Sequence, residues 1–499
     1  MFALGTLGCV AIENESVKLL AAEISKTDDT DASITAEPAA SPAPAATTPD
    51  TGTGDESMAP ATETQLTGTM PTLEEEEPPL PAKPAAVPFQ EPPLPTESGT
   101  GQPVAETPAA ENPLLQPEFS DWDLSQVQSP TFLSAAINEF NERPLQLTGN
   151  WSLKPHLSTG TYYDGNIFLR STNNQSDIVT RVSPGLTMRL GNTDSIFYMA
   201  ADYTLGLNYY LEHLSESTVD QDGNVQFQWS MPKTTIGLNL SVSSDTGQDV
   251  DVTDRVRREL YNAGLTTHYA FGEKTSWDFG VNYTRSDFNG LISSSEYDAD
   301  VFLNYQYSPK TQVGLGVNTG YMEVPGSSGQ VYEGLNLRAT YRATGKLTLI
   351  SEVGAQLRQF ESGIGTTLTP VFTLGGAWAV KQGTEVDVTA HRSIYASAIL
   401  NDQNYTATSL DLTVHQRITD YVDVGLGVGY VNTAYSATAT GVSAVREDNY
   451  FYIRPTVEWK ALSWLSVGIF YEYSQDVSQG GQANSFTRDR GGVDVAFLF

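Results

Sequence analysis

The chemically versatile residues are few: one cysteine, Cys9, and five histidines, His156, His213, His268, His391 and His415. No two histidines share a metal-ligand spacing such as His-x-x-x-His, and one cysteine excludes a disulfide framework or a cysteine-based zinc site. Asp28-Asp29-Thr30-Asp31 and Asp245-Thr246-Gly247-Gln248-Asp249-Val250-Asp251 are rich in oxygen ligands. They lack the spacing and closing glutamate of a calcium hand, so they read as solvated acidic loops. No serine stands out as a nucleophile, so no enzyme, metal or cofactor is expected; a Ser/His/acid hydrolase is the least favoured alternative. What remains is charge placed on one side of extended segments: Lys154, Arg181, Arg189, Arg338, Glu352, Arg358, Asp387, Arg454, Glu458 and Glu472. Such residues would line a wet passage and set electrostatic barriers within it. Their signs are mixed, and the Gly, Ser, Thr and Asn residues between them suit neutral solutes or saccharides.

The elements that position these charges emerge once the composition is divided. The chain has 499 residues, 60 Asp and Glu against 27 Lys and Arg, and a net charge of −33. That balance argues against a nucleic-acid partner, which requires a basic face. Up to Ser120 there are 20 acidic and three basic residues, 18 of the 27 prolines, and only Phe2, Phe89 and Phe119 as aromatics. Such a stretch cannot bury enough apolar surface to offset its conformational entropy, which predicts a disordered, self-repelling linker over residues 12–120. Residues 1–11 read as the tail of a secretory signal with cleavage after Ala11, lipidation at Cys9 being the alternative. Residues 121–146 are a transition in which Phe132, Ala135, Ala136 and Phe140 recur at helical spacing.

From Leu147 to Phe499 the period is two. Trp277, Phe279, Val281 and Tyr283 alternate with Asp278, Gly280, Asn282 and Thr284; Val422, Val424, Leu426, Val428 and Tyr430 alternate with Asp423, Gly425, Gly427 and Gly429. Each such strand presents one apolar and one polar or small face. Eighteen segments can be drawn, beginning near Gly149, Asp177, Ser195, Asn224, Thr234, Arg258, Thr275, Ser294, Thr311, Gln330, Lys346, Thr366, Thr384, Asn404, Tyr421, Glu447, Leu462 and Thr487. Their connections alternate between tight turns, such as Ser308-Pro309-Lys310, and longer polar loops, such as Arg170–Asp177, Glu212–Gly223, Ser244–Asp254 and Ala437–Arg446. Short turns on one rim and long loops on the other are the pattern of an all-β transmembrane antiparallel up-and-down barrel. No run of 18 apolar residues offers a transmembrane helix.

The chain ends with Val493, Val495, Phe497 and Phe499 on one face, which resembles the C-terminal insertion signal of Gram-negative outer-membrane barrels. Pro155, Pro184, Pro370 and Pro455 lie inside strands, which predicts bulges or bends there, since proline cannot donate to the ladder.

Leu153-Lys154-Pro155, followed by Gly160-Thr161-Tyr162-Tyr163-Asp164-Gly165-Asn166-Ile167-Phe168, resembles the opening of the β-barrel porin 2 family. The resemblance covers about Leu147 to Phe499 and implies an outer-membrane barrel without catalytic residues. It also implies a role in permeability or exopolysaccharide export, because some members occur beside polysaccharide-synthesis genes. The expectation is therefore a porin-like outer-membrane channel for hydrophilic solutes or a polysaccharide, with its linker in the periplasm. The expected partners are outer-membrane lipid, the barrel-assembly machinery and periplasmic export components. The alternative is a structural anchor whose acidic linker tethers periplasmic partners.

Overall fold

The computed structural model describes residues 145–146 and 150–498, apart from 193–194, 250, 253 and 482–483. Contacts divide the chain into Met1–Ala105 and Glu106–Phe499, and the described residues belong to the second unit. The linker, the helical pattern between Phe132 and Phe140, and Phe499 lie outside them.

Strand β1 is the pair Leu145–Gln146, set against Ser152 and Leu153. Nine strands follow: β2 Trp151–Asp164, β3 Asp177–Leu190, β4 Phe197–Tyr210, β5 Thr218–Ser230, β6 Thr234–Gln248, β7 Arg255–Ala270, β8 Thr275–Phe288, β9 Ser294–Ser308 and β10 Thr311–Glu323. Nine more complete the series: β11 Gln330–Thr344, β12 Leu347–Phe360, β13 Thr366–Lys381, β14 Thr384–Ala396, β15 Gln403–Thr419, β16 Val422–Ala437, β17 Glu447–Leu462, β18 Leu465–Gln479 and β19 Phe486–Leu498. Each of β2 to β19 pairs antiparallel with its sequence neighbours, and β19 returns to β2 over Arg490↔Asp164 to Leu498↔His156. The result is a closed barrel of eighteen strands. Closure leaves no free sheet edge, so each of β2 to β19 has a ladder on both sides, interrupted only locally.

The apolar face of each strand is its exposed face. Leu335 and Leu337 are each 57% exposed, as are Val317 and Ile469. Their alternates Asn336, Arg358, Arg454 and Glu472 are buried inside. Hydrophobicity is thus inverted relative to a water-soluble protein, and the small inner apolar clusters are exceptions.

Alternation located the strands, with the largest differences of five or six residues at the end of β2, the end of β6 and the start of β5. The loop expected over Glu212–Gly223 is shorter, because β5 begins at Thr218 and pairs Thr218–Asn224 with Asp202–Asn208. Thr218, Asp220 and Asp222 carry no apolar face to mark a strand, yet backbone pairing needs none. Strands β2 to β19 run from 13 residues, as in β5, to 17 in β15.

The prolines do not produce bulges. Register is continuous from Val182↔Leu207 to Gly185↔Thr204 around Pro184, and from Ile453↔Tyr473 to Thr456↔Phe470 around Pro455. What the proline removes is the ladder with one neighbour. β13 and β14 likewise pair only from Phe372↔Arg392, beyond Pro370. In an antiparallel strand each N–H points toward one neighbour, so its loss opens one ladder and spares the other. The register shifts lie instead beside tight turns, between Arg342/Thr344, Ala379/Lys381, Arg417/Thr419 and Lys460/Leu462.

Candidate functional site

The candidate site is the inner wall of the barrel and the long-loop mouth above it. Strand phase puts Lys154 on the face of β2 opposite exposed Tyr163, and Arg181 and Arg189 on the face of β3 opposite Ile178, Val182 and Leu186. Arg338, Glu352, Arg358, Asp387, Arg454, Glu458 and Glu472 take the corresponding inner positions on β11, β12, β14, β17 and β18. Val493 is on the exposed face, with Val495 and Phe497 in the same phase; Phe497 stacks on Trp464.

The fold brings only some of these charges together. Arg454 meets Glu472 at 2.5 Å, and the Nε of Arg490 donates to the same carboxylate at 3.0 Å. Next to them, the Nε of Arg488 donates to Asp164 at 2.9 Å. Arg338 and Glu352 face one another in register, but Arg338 turns to Asn304, Asp278 and the ring of Phe302, 4.2 Å from its guanidinium. Arg358 donates to Gln330 and Gln356 at 2.9 and 3.0 Å and lies over Tyr332. His268 pairs with Asp278 at 2.6 Å, and His391 shares a hydrogen bond of 2.9 Å with Thr373. Asp164, Asp278, Arg488 and Arg490 were not selected from the sequence. Strand phase marks all four as inward; Arg488 meets Asp164 only where β19 closes on β2, whereas Arg490 meets Glu472 across β18–β19 and Asp278 meets His268 across β7–β8.

The mouth is bridged by loops, and the acidic loop is not solvated. Asp251, between β6 and β7, is 1% exposed and accepts hydrogen bonds from Ser397 at 2.9 Å, Tyr435 at 2.8 Å and the backbone N–H of Ala398. These partners belong to β16 and to the loop after β14. Burial, with Asp249 beside it, pushes the Asp251 carboxyl up to about 6 despite those three donors. The loop after β10 joins this seam: the Ser327 hydroxyl donates to Asp402 at 2.7 Å, and the Thr438 N–H donates to the Asp402 carbonyl at 2.8 Å.

The Tyr163–Phe168 sequence runs from the end of β2 into the loop before β3, which also folds inward. Asn166 is fully buried; its Nδ2 donates to the carbonyls of Arg170 and Thr487 at 2.8 and 3.0 Å, and its Oδ1 accepts from the Arg170 N–H. Ile167 packs with Val179 and Tyr210, while Leu169 packs with Val431, Tyr450, Tyr452 and Phe486. Leu169 holds φ at 52°, a left-handed conformation that its burial offsets. The motif's asparagine thus ties the loop, and its apolar residues seat it against the wall. No group of three or more metal-ligating side chains with the geometry of an ion site occurs among the described residues.

No known family model matches the chain, and no curated protein matches it. Solved structures do. Pseudomonas aeruginosa OpdQ is similar with a TM-score of 0.39 and 9% identity over 70% of this chain and 97% of its own. The outer membrane protein opdK of the same organism has a TM-score of 0.38 and 12% identity over 70% and 99% of the two chains. Acinetobacter baumannii OccAB4 has a TM-score of 0.38 and 12% identity over 72% and 100%.

Proposed function

We propose that this chain is a passive outer-membrane channel for hydrophilic solutes. The single observation that carries the reading is the closed eighteen-stranded sheet with large apolar side chains exposed outside and charged and hydroxyl side chains within. A lipid environment accepts the first face and a wet passage the second, whereas charges on the lipid face cost a few kcal/mol near the midplane. Strands of 13 to 17 residues exceed the ~9–11 needed to cross the hydrocarbon, leaving ends for both interfaces. On this reading the short-turn rim faces the periplasm and the acidic linker extends there; the short turns between strands support that orientation. Solutes move down their gradients, and the inward charges and bridging loops set the barrier.

The test is conductance of the purified full chain in planar bilayers, together with swelling of liposomes in small neutral sugars. Discrete conductance steps and sugar entry are expected; neither, in correctly folded protein, overturns the channel. A finer reading, export of an exopolysaccharide, is supported by the resemblance around Tyr163–Phe168. Loss of polymer at the cell surface on deletion of the gene, restored by the full chain, tests it. The anchor alternative is tested by deleting residues 12–120: failed envelope attachment with unchanged conductance would make the linker the function.

A further inference from the structure

We propose that the inner wall of β14–β16 holds a binding station for a small primary ammonium cation, centred on Asp411. The inference rests on the channel reading and names a solute class that its wall recognises. Asp411 is 7% exposed; its Oδ1 accepts the Tyr452 hydroxyl at 3.0 Å, and its Oδ2 has no hydrogen-bond partner. The Ser409 hydroxyl and the Nε2 of His391 are also buried without partners. The register joins the three: His391 stands opposite Ser409, and Asp411 follows two residues along the same face of β15.

The chemistry of the unused atoms selects the ligand. With its proton on Nδ1, His391 donates to Thr373 and leaves Nε2 as an acceptor. The Ser409 oxygen and Asp411 Oδ2 are acceptors too. A carboxylate and two neutral acceptors match the three donors of an –NH3+ group and offer little to an anion. Asp411 forms no ion pair among the described residues, and Arg454, two residues from Tyr452, is held by Glu472. A buried carboxylate without a cation is costly, so an incoming ammonium is stabilised there.

Apolar cover completes the station. On the facing strand Gly427 and Gly429 carry no side chains, which lets the Tyr452 ring lie over Gly429 and reach Asp411; a Cβ at Gly429 would overlap both. Tyr452 and Val431, with Leu169 of the inward loop, form an apolar cluster beside the carboxylate, against which a short alkyl group can pack. The Tyr452 ring adds a face attractive to cations.

Ethylammonium is the probe, added to full-length protein in planar bilayers carrying potassium current. The expected result is concentration-dependent block that weakens at least about tenfold in Asp411→Asn and less in Ser409→Ala, a substitution that removes an unpaired hydroxyl. Glucose and acetate, as neutral and anionic controls, are expected to block neither more nor less in the variants. Equal block of wild type and both variants, or block by glucose equal to that by ethylammonium, overturns the station. Heat-modifiable migration on gels reports folding of each variant; if Asp411→Asn does not fold, Ser409→Ala decides. If the wild type passes no current, the channel reading fails separately. Saturation-transfer NMR of ethylammonium with the detergent-solubilised protein then decides the station, and no Asp411- or Ser409-dependent signal overturns it.

Discussion

Two stretches of the inner wall use the same residue types in opposite ways. Along β17–β19 and β2, acids meet arginines: Glu472 lies between Arg454 and Arg490, and Asp164 is bound by Arg488. Along β14–β16, Asp411 meets a tyrosine hydroxyl, His391 meets a threonine, and β16 presents Gly425, Gly427 and Gly429. The first stretch also contains the backbone gap at Pro455. Arg454 and Glu472 occupy the register position where the ladder between Ile453↔Tyr473 and Thr456↔Phe470 is open, so their ion pair spans the break. Charge neutralised within the wall holds strands together, while Asp411 is met, among the described residues, only by the Tyr452 hydroxyl.

The largest effect that separates the two stretches is expected from Glu472→Ala. It removes the buried carboxylate that Arg454 and Arg490 share beside a broken ladder, a loss of about 3–5 kcal/mol. Asp411→Asn removes a carboxylate that no cation compensates and is expected to cost less than about 1 kcal/mol or to stabilise. Denaturant unfolding of both variants in detergent micelles makes the comparison, and equal losses would break the distinction.

Next in size is the contrast between neighbouring glycines. Gly429→Ala forces a methyl group into Tyr452 and Asp411 and is expected to cost about 1–3 kcal/mol. At Gly427 the nearest side-chain atom to an added Cβ is 3.8 Å away, so Gly427→Ala should leave stability almost unchanged. The same unfolding assay would sharpen the claim that the bare wall is shaped around Tyr452 and Asp411.

A smaller, graded effect is expected from pH at the mouth, where Asp251 repeats the pattern of a buried acid held by neutral donors. Its docked pKa of about 6 lies above the ordinary 3.8, so docking favours the protonated form. Docking is fully supported below the ordinary value and weakens as pH rises through about 6. Asp249 adds to this, while Tyr435, Ser397 and the Ala398 N–H oppose it. Protease access to the β6–β7 loop, measured from pH 5 to 7.5, should increase with pH in the wild type and remain flat in Asp251→Asn. A flat wild-type profile would remove the parallel.

The smallest effect is expected at Pro455. Pro455→Val restores a ladder donor and should change stability by less than about 1 kcal/mol. Combined with Glu472→Ala it should reduce the loss, because the ion pair would no longer span a gap. Strict additivity would show that the ladder and the ion pair act independently.

Much of the barrel was legible in single residues. The phase of Val422–Tyr430 placed the glycines of β16 inside, and the turn at Pro309-Lys310 set one rim. The prolines misled because their missing N–H was read as a disturbance of the strand, whereas only one of its two ladders lost a bond. The loops misled more. Asp251 stands in a run that reads as solvated, and its burial depends on Ser397, Ala398 and Tyr435, between 146 and 184 residues away.

What the sequence determined by itself was local: strand phase, turn length, and the side of the sheet each residue faces, since these follow from backbone geometry and a period of two. Tertiary structure alone decided which inward charges neutralise one another, which loops cross the mouth, and which acids are left with hydroxyls. Those outcomes depend on how strands and loops come together in space, from the β17–β18 hairpin that joins Arg454 to Glu472 to the closure of β19 on β2 that joins Arg488 to Asp164.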